Sequence, residues 1–260
     1  MLTVYRFDLE PVEGLPERLR QVLSRPEKDR ASRFARPELR DRFEAAHAAL
    51  RAVLSIHTGI EPASIELETI RRGKPVLSPG MRRLDVEFSL SHSADIGCIA
   101  VSAVGPIGVD IEVRRHAADD RELLSSILSA QESRVIEPLL RSNPPDASAV
   151  LLRCWTMKEA VMKASGDGLY VEPTDVRADA ESLDAWLAGR VPVIEVTCPD
   201  APESSAFTRW WARRLDLSPH FAAIATTEYA ARIEPQVHSL TVPGLFARLD
   251  SGRPIDCANR

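Results

Sequence analysis

The chain has 260 residues, of which 27% are charged, and its formal net charge is −5. This length suits one large domain or two small ones and allows a substantial apolar core. Acidic and basic residues are interspersed, which argues against a protein that binds nucleic acid or a membrane surface through bulk positive charge. If the chain binds an anion, it must therefore do so through a small cluster of basic residues rather than through its overall charge.

The sequence pattern indicates a cytoplasmic protein. Residues 1–10 include Arg6, Asp8 and Glu10 and lack the apolar core of a signal peptide. No run approaches the ~20 apolar residues of a membrane span. The cysteines show no paired metal-ligand spacing, and we expect the first three of Cys98, Cys154, Cys198 and Cys257 to be small hydrophobic residues in a reducing compartment.

The first part of the chain predicts alternating strands and helices. Weak alternation predicts a strand over residues 2–9, helices follow over 14–23 and 26–36, and a long amphipathic helix covers 38–57. Strands are expected over 65–70, 85–90 and 96–103, with a tight turn at Gly73-Lys74-Pro75. The region from 28 to 42 is the densest basic region before the acidic strand described below, and on sequence alone a charged helix face exposed to solvent explains it equally well. Its basic residues are Lys28, Arg30, Arg33, Arg36, Arg40 and Arg42.

Ser91-His92-Ser93 is expected where the strand over 85–90 breaks. Hydroxyls, an imidazole and free backbone N–H groups would then converge at a chain reversal, a combination that suits an anion. A lone loop histidine is more often structural or solvated than functional. The next strand is expected to return to a hairpin at Gly105-Pro106, which leads into the following acidic strand.

Gly108-Val109-Asp110-Ile111-Glu112 is the stretch around which the chain is organised. On an extended backbone Asp110 and Glu112 point to one face and Ile107, Val109 and Ile111 to the other, so a buried strand would hold both acids rigidly. Carboxylates about 5 Å apart repel by roughly 3 kcal/mol at an effective dielectric near 20, which calls for a cation, a shared proton or a basic neighbour. From this stretch alone, two solvated acids on a strand rim are an equally good interpretation.

A second polar constellation is predicted on a helix over residues 149–164. Trp155, Glu159 and Lys163 recur at i, i+4 and i+8, which stacks them along one face. In a lone helix, an exposed Glu-to-Lys pair would be the better interpretation. Between the two stretches an amphipathic helix is expected over 121–140, and strands of a second sheet are expected over 193–197, 207–215 and 220–226.

Together these motifs resemble the signature series of the Sfp-type phosphopantetheinyl transferases. The matching segments are Phe88 to Ser93, Gly108 to Glu112, and Trp155 to Lys163, in the same order and at similar intervals. The resemblance covers roughly residues 28–225 and is specific because several separated motifs agree. It implies an α+β fold of two similar strand-and-helix halves related by a pseudo-twofold axis, with a coenzyme cleft between them. The expected halves are residues 1–105 and 106–228, followed by a tail over 229–260 that the resemblance does not cover.

The resemblance also implies a reaction and its residues. The 4'-phosphopantetheine arm of coenzyme A would pass to a serine of an apo acyl, peptidyl or aryl carrier protein, releasing adenosine 3',5'-bisphosphate, as in fatty-acid, polyketide or nonribosomal-peptide biosynthesis. Asp110, Glu112 and Glu159 would bind Mg²⁺, Lys163 would neutralise developing charge, and Glu159 would accept the serine proton, directly or through water. Coenzyme contacts would come from Lys28, Arg30, Arg42, Lys74, Ser91 and His92. Phe43 stands where some members have a small hydroxyl residue.

Two other functions stay open at the level of sequence. A non-catalytic coenzyme A sensor would keep Lys28, Lys74 and His92 but would not need Glu159 and Lys163. A metal-dependent phosphodiesterase would suit the carboxylate cluster equally well, and it would cleave coenzyme A without a protein acceptor. We expect a monomer, because one chain supplies both halves of the cleft.

Overall fold

The computed structural model describes residues 1–9, 16–70, 73–81, 85–114, 126–142, 147–166, 171–199 and 207–251. The fold is α+β, with the helices on the outer faces of two β-sheets. The described helices are α1 (Glu17–Gln21), α2 (Arg25–Ala31), α3 (Pro37–Thr58), α4 (Ala130–Ser142), α5 (Ala147–Ser165), α6 (Ala180–Leu187), α7 (Glu228–Ala231) and α8 (Val242–Ser251), with short 3₁₀ turns at Pro62–Ser64 and Pro173–Asp175.

Eleven strands are described. They are β1 (Leu2–Asp8), β2 (Leu67–Thr69), β3 (Pro75–Leu77), β4 (Glu87–Ser93), β5 (Ile96–Ser102), β6 (Ile107–Glu112), β7 (Arg177–Ala178), β8 (Val193–Thr197), β9 (Arg209–Leu217), β10 (His220–Thr226) and β11 (Gln236–Thr241). The first sheet has the order β11-β1-β5-β4, the second has the order β6-β10-β9-β8-β7, and β2 and β3 form a small ribbon. The predicted strands over 193–197 and 220–226 are confirmed, as is their place in a second sheet.

Three apolar layers hold these elements together. The outer layer of the first sheet packs Tyr5, Phe7 and Phe88 against α3, and the outer layer of the second sheet packs Trp210 and Ala212 against α5. Between the sheets lies a third layer, which contains Leu2, Val4, Cys98, Ile107, Val109, Ile111, Leu215 and Ile224. The alternation of strand side chains explains how each sheet contributes to two layers. Cys98, Cys154 and Cys198 are buried free cysteines, as expected.

The strand β6 leaves the first sheet, contrary to the predicted hairpin at Gly105-Pro106. It pairs antiparallel with β10, with Asp110 opposite Ala223, and β5 pairs with β1 and β4 instead. The hairpin prediction is wrong because adjacency in the chain does not determine which strand is the partner. Here the apolar face of β6 is buried by the layer between the sheets, while its backbone completes the second sheet.

The predicted break at Ser91 is also wrong. The strand β4 continues through Ser93, with Ser91 opposite Cys98 and His92 opposite Gly97, and the chain reverses at Ala94-Asp95. Serines are accommodated inside this strand because their hydroxyls find partners on β6. The Ser-His-Ser segment is therefore part of a strand rather than a loop.

The structure differs from the helix predicted over 121–140 in the part of this segment that it describes. Residues 121–125 lie outside the described residues, and α4 begins at Ala130. At its start the backbone N–H of Ser129 donates to Glu132 Oε2 at 2.8 Å, and the N–H of Glu132 donates to Ser129 Oγ at 3.3 Å. This reciprocal capping arrangement starts a new helix, so a helix that is continuous through Ser129 is wrong.

The segment over 229–260 contributes to the first sheet in its described part. β11 pairs parallel with β1, with Val4 opposite Val237. Val242, Leu245 and Phe246 of α8 are buried in the apolar layer beneath α3. Residues 252–260 lie outside the described residues. No helix in the described part of the chain is long and apolar enough to cross a bilayer.

Candidate active site

The acidic face of β6 is turned toward α5. Asp110 is 3% exposed, while Ile107, Val109 and Ile111 are fully buried on the opposite face. This confirms the alternation predicted from the sequence. A strand with one face in the core and the other against α5 is a rigid mount for two carboxylates.

The close approach of α5 to β6 depends on Gly108. A Cβ atom at this position would lie 1.9 Å from the carbonyl oxygen of Ala160 and 2.4 Å from the backbone nitrogen of Ala164. No real Cβ contact is that short, so only glycine allows the helix to lie against the strand. The helix, Ala147–Ser165, includes the predicted face with Glu159 and Lys163, and Trp155 packs against the outer core.

Lys163 connects the helix to the acidic strand. Its Nζ donates to Asp110 Oδ1 at 2.6 Å and to Ser91 Oγ at 2.9 Å, and Ser91 Oγ itself donates to Asp110 Oδ1 at 2.7 Å. Ser91 is buried, so in this structure its hydroxyl serves the acid rather than an open surface. The three residues come from β4, β6 and α5, which means that both sheets contribute to the site.

A ladder of serines connects the two sheets along the edge of β6. Ser89 Oγ accepts the N–H of Val109 at 3.1 Å, and Ser93 Oγ accepts the N–H of Val113 at 3.4 Å. Ser93 Oγ also donates to Glu112 Oε2 at 2.5 Å. Side-chain hydroxyls thus replace a neighbouring strand on the open edge of β6, and they orient both acids at the same time.

The acids influence one another electrostatically. Burial raises the pKa of Asp110, against the lowering effect of Lys163. Burial likewise raises the pKa of Glu159; Lys163 lowers it, and Asp110 and Glu112 raise it further. The carboxylates of β6 and α5 are therefore close enough to interact, in surroundings that penalise their negative charge.

In the acid cluster, which we define as Asp110, Glu112 and Glu159, one oxygen of Asp110 is available to a hard divalent cation. Asp110 Oδ2 is buried and has no hydrogen-bond partner among the described residues. An unpartnered carboxylate oxygen near two further acids suits Mg²⁺, which prefers oxygen ligands. As the side chains stand, no three His, Cys, Asp or Glu groups within the described ranges form a metal cluster.

Four of the predicted coenzyme contacts, Lys28, Arg30, Arg42 and His92, lie on α2, α3 and β4. Lys28 and Arg30 are exposed on α2, and the Arg30 guanidinium lies 5.3 Å from the ring centroid of Phe43. Arg42 Nε is buried without a hydrogen-bond partner among the described residues. His92 is exposed, yet partial desolvation and the charges of Lys163, His47 and Arg30 lower the pKa of its ring. His92 is therefore close enough to Lys163, His47 and Arg30 to be influenced by their charges.

Phe43 stands at the position where the resemblance implies a small hydroxyl residue in some family members. Its buried ring packs against Phe34, with centroids 5.4 Å apart, and against His47, with centroids 4.1 Å apart. The Phe43 ring thus contacts Arg30 and His47 and contributes no polar group.

Lys74 lies against the start of β6 and the end of α5. Its Nζ donates to the backbone carbonyls of Ile107 at 3.3 Å and Ala164 at 3.2 Å, and burial lowers its pKa. These bonds join the β3 ribbon to the start of β6 and the end of α5. A phosphate contact through this ammonium remains a prediction.

Comparisons with known proteins identify relatives of this chain. The model of the 4'-phosphopantetheinyl transferase superfamily matches residues 106–208, which include β6 and α5. Over 167 residues the chain is 35% identical to the 4'-phosphopantetheinyl transferase HetI of Nostoc sp., an alignment that covers 64% of this chain and 69% of HetI. The chain belongs to the 4'-phosphopantetheinyl transferase superfamily.

Shorter alignments connect the chain to other members of this family of enzymes. It is 36% identical over 99 residues to the 4'-phosphopantetheinyl transferase AcpT of Salmonella typhimurium, covering 38% of this chain and 48% of AcpT. The match to AcpT of Escherichia coli is 35% over 99 residues, with the same coverage. The chain thus spans about half the length of these two relatives.

Sequence reasoning missed several residues that support the site of this transferase family member. Ser89 was not identified, and Ser93 was expected in an anion-binding turn rather than as a partner of Glu112, although Ser89, Ser91 and Ser93 recur at the strand period of two. Lys158, next to Glu159, was also missed: its Nζ donates to Glu132 Oε2 at 2.8 Å, and both side chains are fully buried. No local pattern signals this pair, since its members are 26 residues apart.

Proposed function

We propose that the chain transfers the 4'-phosphopantetheine arm of coenzyme A to a serine of an apo acyl, peptidyl or aryl carrier protein. The reaction would require Mg²⁺ and would release adenosine 3',5'-bisphosphate. The observation that carries the proposal is the joint presence of Asp110, Glu159 and Lys163 at the contact between β6 and α5 in a chain of this family.

In this reaction the serine Oγ of the carrier attacks the phosphorus that bears the pantetheine arm. A new P–O bond forms to serine, and the P–O bond to the adenosine bisphosphate leaving group breaks. The serine proton passes to Glu159, directly or through water. A general base typically accelerates such a step by roughly 100- to 10,000-fold.

Asp110, Glu112 and Glu159 would hold the Mg²⁺ ion, which supplies Lewis-acid polarisation of the pyrophosphate when bound. The unpartnered Asp110 Oδ2 supports this role for Asp110, and the bond from Ser93 orients Glu112. Lys163 is held on Asp110 Oδ1 and can stabilise negative charge that grows on the leaving group. Glu159, one helical turn earlier, lies on the same face.

We infer that coenzyme A binds between a first half, residues 1–105, and a second half, residues 106–228. The exposed Lys28 and Arg30, the unpartnered Nε of Arg42, and His92 support a phosphate-binding role for the first half. In each half a sheet carries a helix on its outer face, which supports the pseudo-twofold relation that the resemblance implies. We further propose that the protein works as a monomer in the cytoplasm.

The test is intact-protein mass spectrometry of apo carrier proteins incubated with coenzyme A, Mg²⁺ and the protein. We expect a mass gain equal to the phosphopantetheine arm, abolished by EDTA and slowed about 100- to 10,000-fold by Glu159→Gln. Glu195→Gln, on the exposed side of β8, is the matched control and should leave the rate unchanged. Coenzyme A binding without transfer would favour a sensor, and cleavage of coenzyme A with every carrier unmodified would favour a phosphodiesterase.

A second variant tests the metal assignment. Asp110→Ala should reduce transfer more than Glu159→Gln, because it removes a metal ligand as well as the partner of Lys163. Recovery at high Mg²⁺ concentration would indicate that metal affinity was lost rather than chemistry. Near-normal transfer by Asp110→Ala would contradict the assignment.

A further inference from the structure

An arginine pocket of about 400 Å³ lies beside the acid cluster, and none of the predicted roles uses it. We define the pocket by Arg114, Arg153 and Arg214, which line it together with Phe221. The guanidinium carbons of Arg114 and Arg153 lie 5.5 Å and 5.8 Å from the centroid of this ring. Asp216 is the acidic side chain in the lining, so positive charge predominates.

The sheet register connects the arginine pocket to the site. Phe221 of β10 is paired with Glu112 of β6 on one side and with Asp216 of β9 on the other. In the next row, Ala223 is paired with both Asp110 and Arg214. Paired residues share a face and neighbouring strands are about 4.8 Å apart, so the pocket begins one strand away from Glu112 on the face that carries the acids.

The surrounding structure fixes two of the three guanidinium groups. Arg214 Nη1 donates to the carbonyl oxygens of Trp186 and Leu187 at 3.4 Å and 3.5 Å, and Arg153 Nη1 donates to that of Leu187 at 3.4 Å. These carbonyls belong to the last turn of α6, where positive charge is favoured. Arg114 is exposed at the rim and makes no hydrogen bond or ion pair to another described residue.

The position of the pocket indicates which anion it receives. Glu112 has Ser93 of β4 on one side and Phe221 of β10 on the other. The basic residues near His92, namely Arg30, His47 and Lys163, lie on the β4 side, where the proposed function places the nucleotide phosphates. The pantetheine arm carries no charge, so the reactant that can bring an anion to the β10 side is the acceptor protein. A folded protein presents its surface anions as Asp and Glu carboxylates, and the planar guanidinium group matches a carboxylate.

We propose that the arginine pocket binds an acidic side chain of the acceptor carrier protein and thereby positions its serine beside Glu159. This inference rests on the proposed transferase function and adds the chemistry of acceptor recognition to it. Arg114 is the rim contact that meets the acceptor first, while Arg153 and Arg214 form the fixed wall of the pocket.

The experiment compares steady-state transfer by the full-length protein and its Arg114→Glu variant, at saturating Mg²⁺, with the apo carrier protein that the wild type modifies fastest. We expect the KM for the carrier to rise about tenfold, with the KM for coenzyme A and the kcat unchanged, because the substitution replaces an attraction with a repulsion at the rim. The carrier kcat/KM of the variant should also depend less steeply on salt than that of the wild type.

Arg209→Glu is the matched control, because its guanidinium also lies over an aromatic ring, 5.9 Å from Trp211, on another part of the surface. It should leave every constant unchanged. Exchanging acidic residues of the carrier for lysine one at a time should identify a position that restores transfer by Arg114→Glu.

Three outcomes would overturn the inference. An unchanged carrier KM in Arg114→Glu would show that the pocket does not contact the acceptor. A rise in the KM for coenzyme A instead would assign the pocket to a coenzyme phosphate. A wild-type protein that modifies no carrier would overturn the transferase function itself and, with it, this docking site, so the two failures are distinguishable.

Discussion

Lys163 Nζ lies 2.6 Å from Oδ1 of Asp110, so the charged end of α5 is held on the acidic strand β6. The same ammonium is 2.9 Å from Ser91 Oγ on β4, and thus one lysine contacts both sheets. Asp110 has a raised pKa because burial outweighs the effect of this lysine, and its second oxygen has no partner among the described residues. The contact therefore fixes the lysine while one carboxylate oxygen remains available for a cation.

Replacing Lys163 with methionine should reduce carrier modification by about 100- to 1,000-fold, the usual effect of losing a group that stabilises transition-state charge. Methionine keeps the length and the apolar stem, so the fold should persist. The rate of phosphopantetheine transfer by mass spectrometry is the measurement, with thermal melting as a check on folding. Lys163→Arg retains the positive charge and should lose less. A fully active Lys163→Met would remove Lys163 from the mechanism.

Gly108→Ala should lower both stability and activity. The new methyl group would overlap the backbone of Ala160 and Ala164, and backbone atoms cannot yield as a flexible side chain does. We expect a loss of about 1–3 kcal/mol in the free energy of unfolding, as for other overpacked sites, together with slower transfer as α5 is displaced. Urea denaturation measures the first effect. Gly80→Ala is the control, because its Cβ would meet nothing within 4 Å; equal stability of the two variants would contradict the packing argument.

Lys158→Met should destabilise the protein by about 3–5 kcal/mol, because it leaves the fully buried Glu132 without its counterion. Lys158 Nζ also donates to the carbonyl oxygen of Pro173 at 2.9 Å, and burial lowers its pKa despite the opposing effect of Glu132. The double variant Lys158→Met with Glu132→Gln should be more stable than the single variant, since glutamine removes the unpaired charge and still accepts hydrogen bonds. Denaturant titration of both variants provides the measurement. A single variant as stable as the wild type would show that the pair does not support α5.

Lowering the pH should weaken the contact between α2 and α3 that Glu27 makes with Arg51. Burial favours a higher pKa for Glu27, but the hydrogen bond with His47 and the charge of Arg51 outweigh it and lower the pKa to about 2 from an ordinary value of 4.5. A lowered folded-state pKa gives stability that is fully present above the unfolded-state pKa, and that is lost as the pH falls from about 4.5 toward about 2. The advantage of the wild type over Glu27→Gln in urea unfolding should therefore be largest near neutral pH and shrink across this range. A difference that is independent of pH would contradict the assigned ion pair with Arg51.

Local sequence patterns were sufficient to predict the features that depend on a single helix or strand. The alternation of residues 107–112 predicted which face of β6 holds Asp110 and Glu112, and the four-residue spacing of Glu159 and Lys163 placed them on one face of α5. Pattern reasoning failed for Ser91 to Ser93, because a run of polar residues suggests a loop when the neighbouring strand is unknown. The hydroxyls are compatible with a strand only because Val109, Asp110, Glu112 and Val113 supply their hydrogen-bond partners.

The sequence by itself determined the family, the two functional elements and the direction in which their acids and bases point. Only the tertiary structure decided that β6 pairs with β10 rather than β5, that β11 joins β1, and that Lys158 is neutralised by Glu132. It also decided that three arginines, from β9, from α5 and from the residues after β6, line one pocket with Phe221. Periodicity reports which face of an element is buried, because it follows from the geometry of the backbone. The partner on that face is selected by packing and hydrogen bonding between residues far apart in the chain, and no local pattern records it.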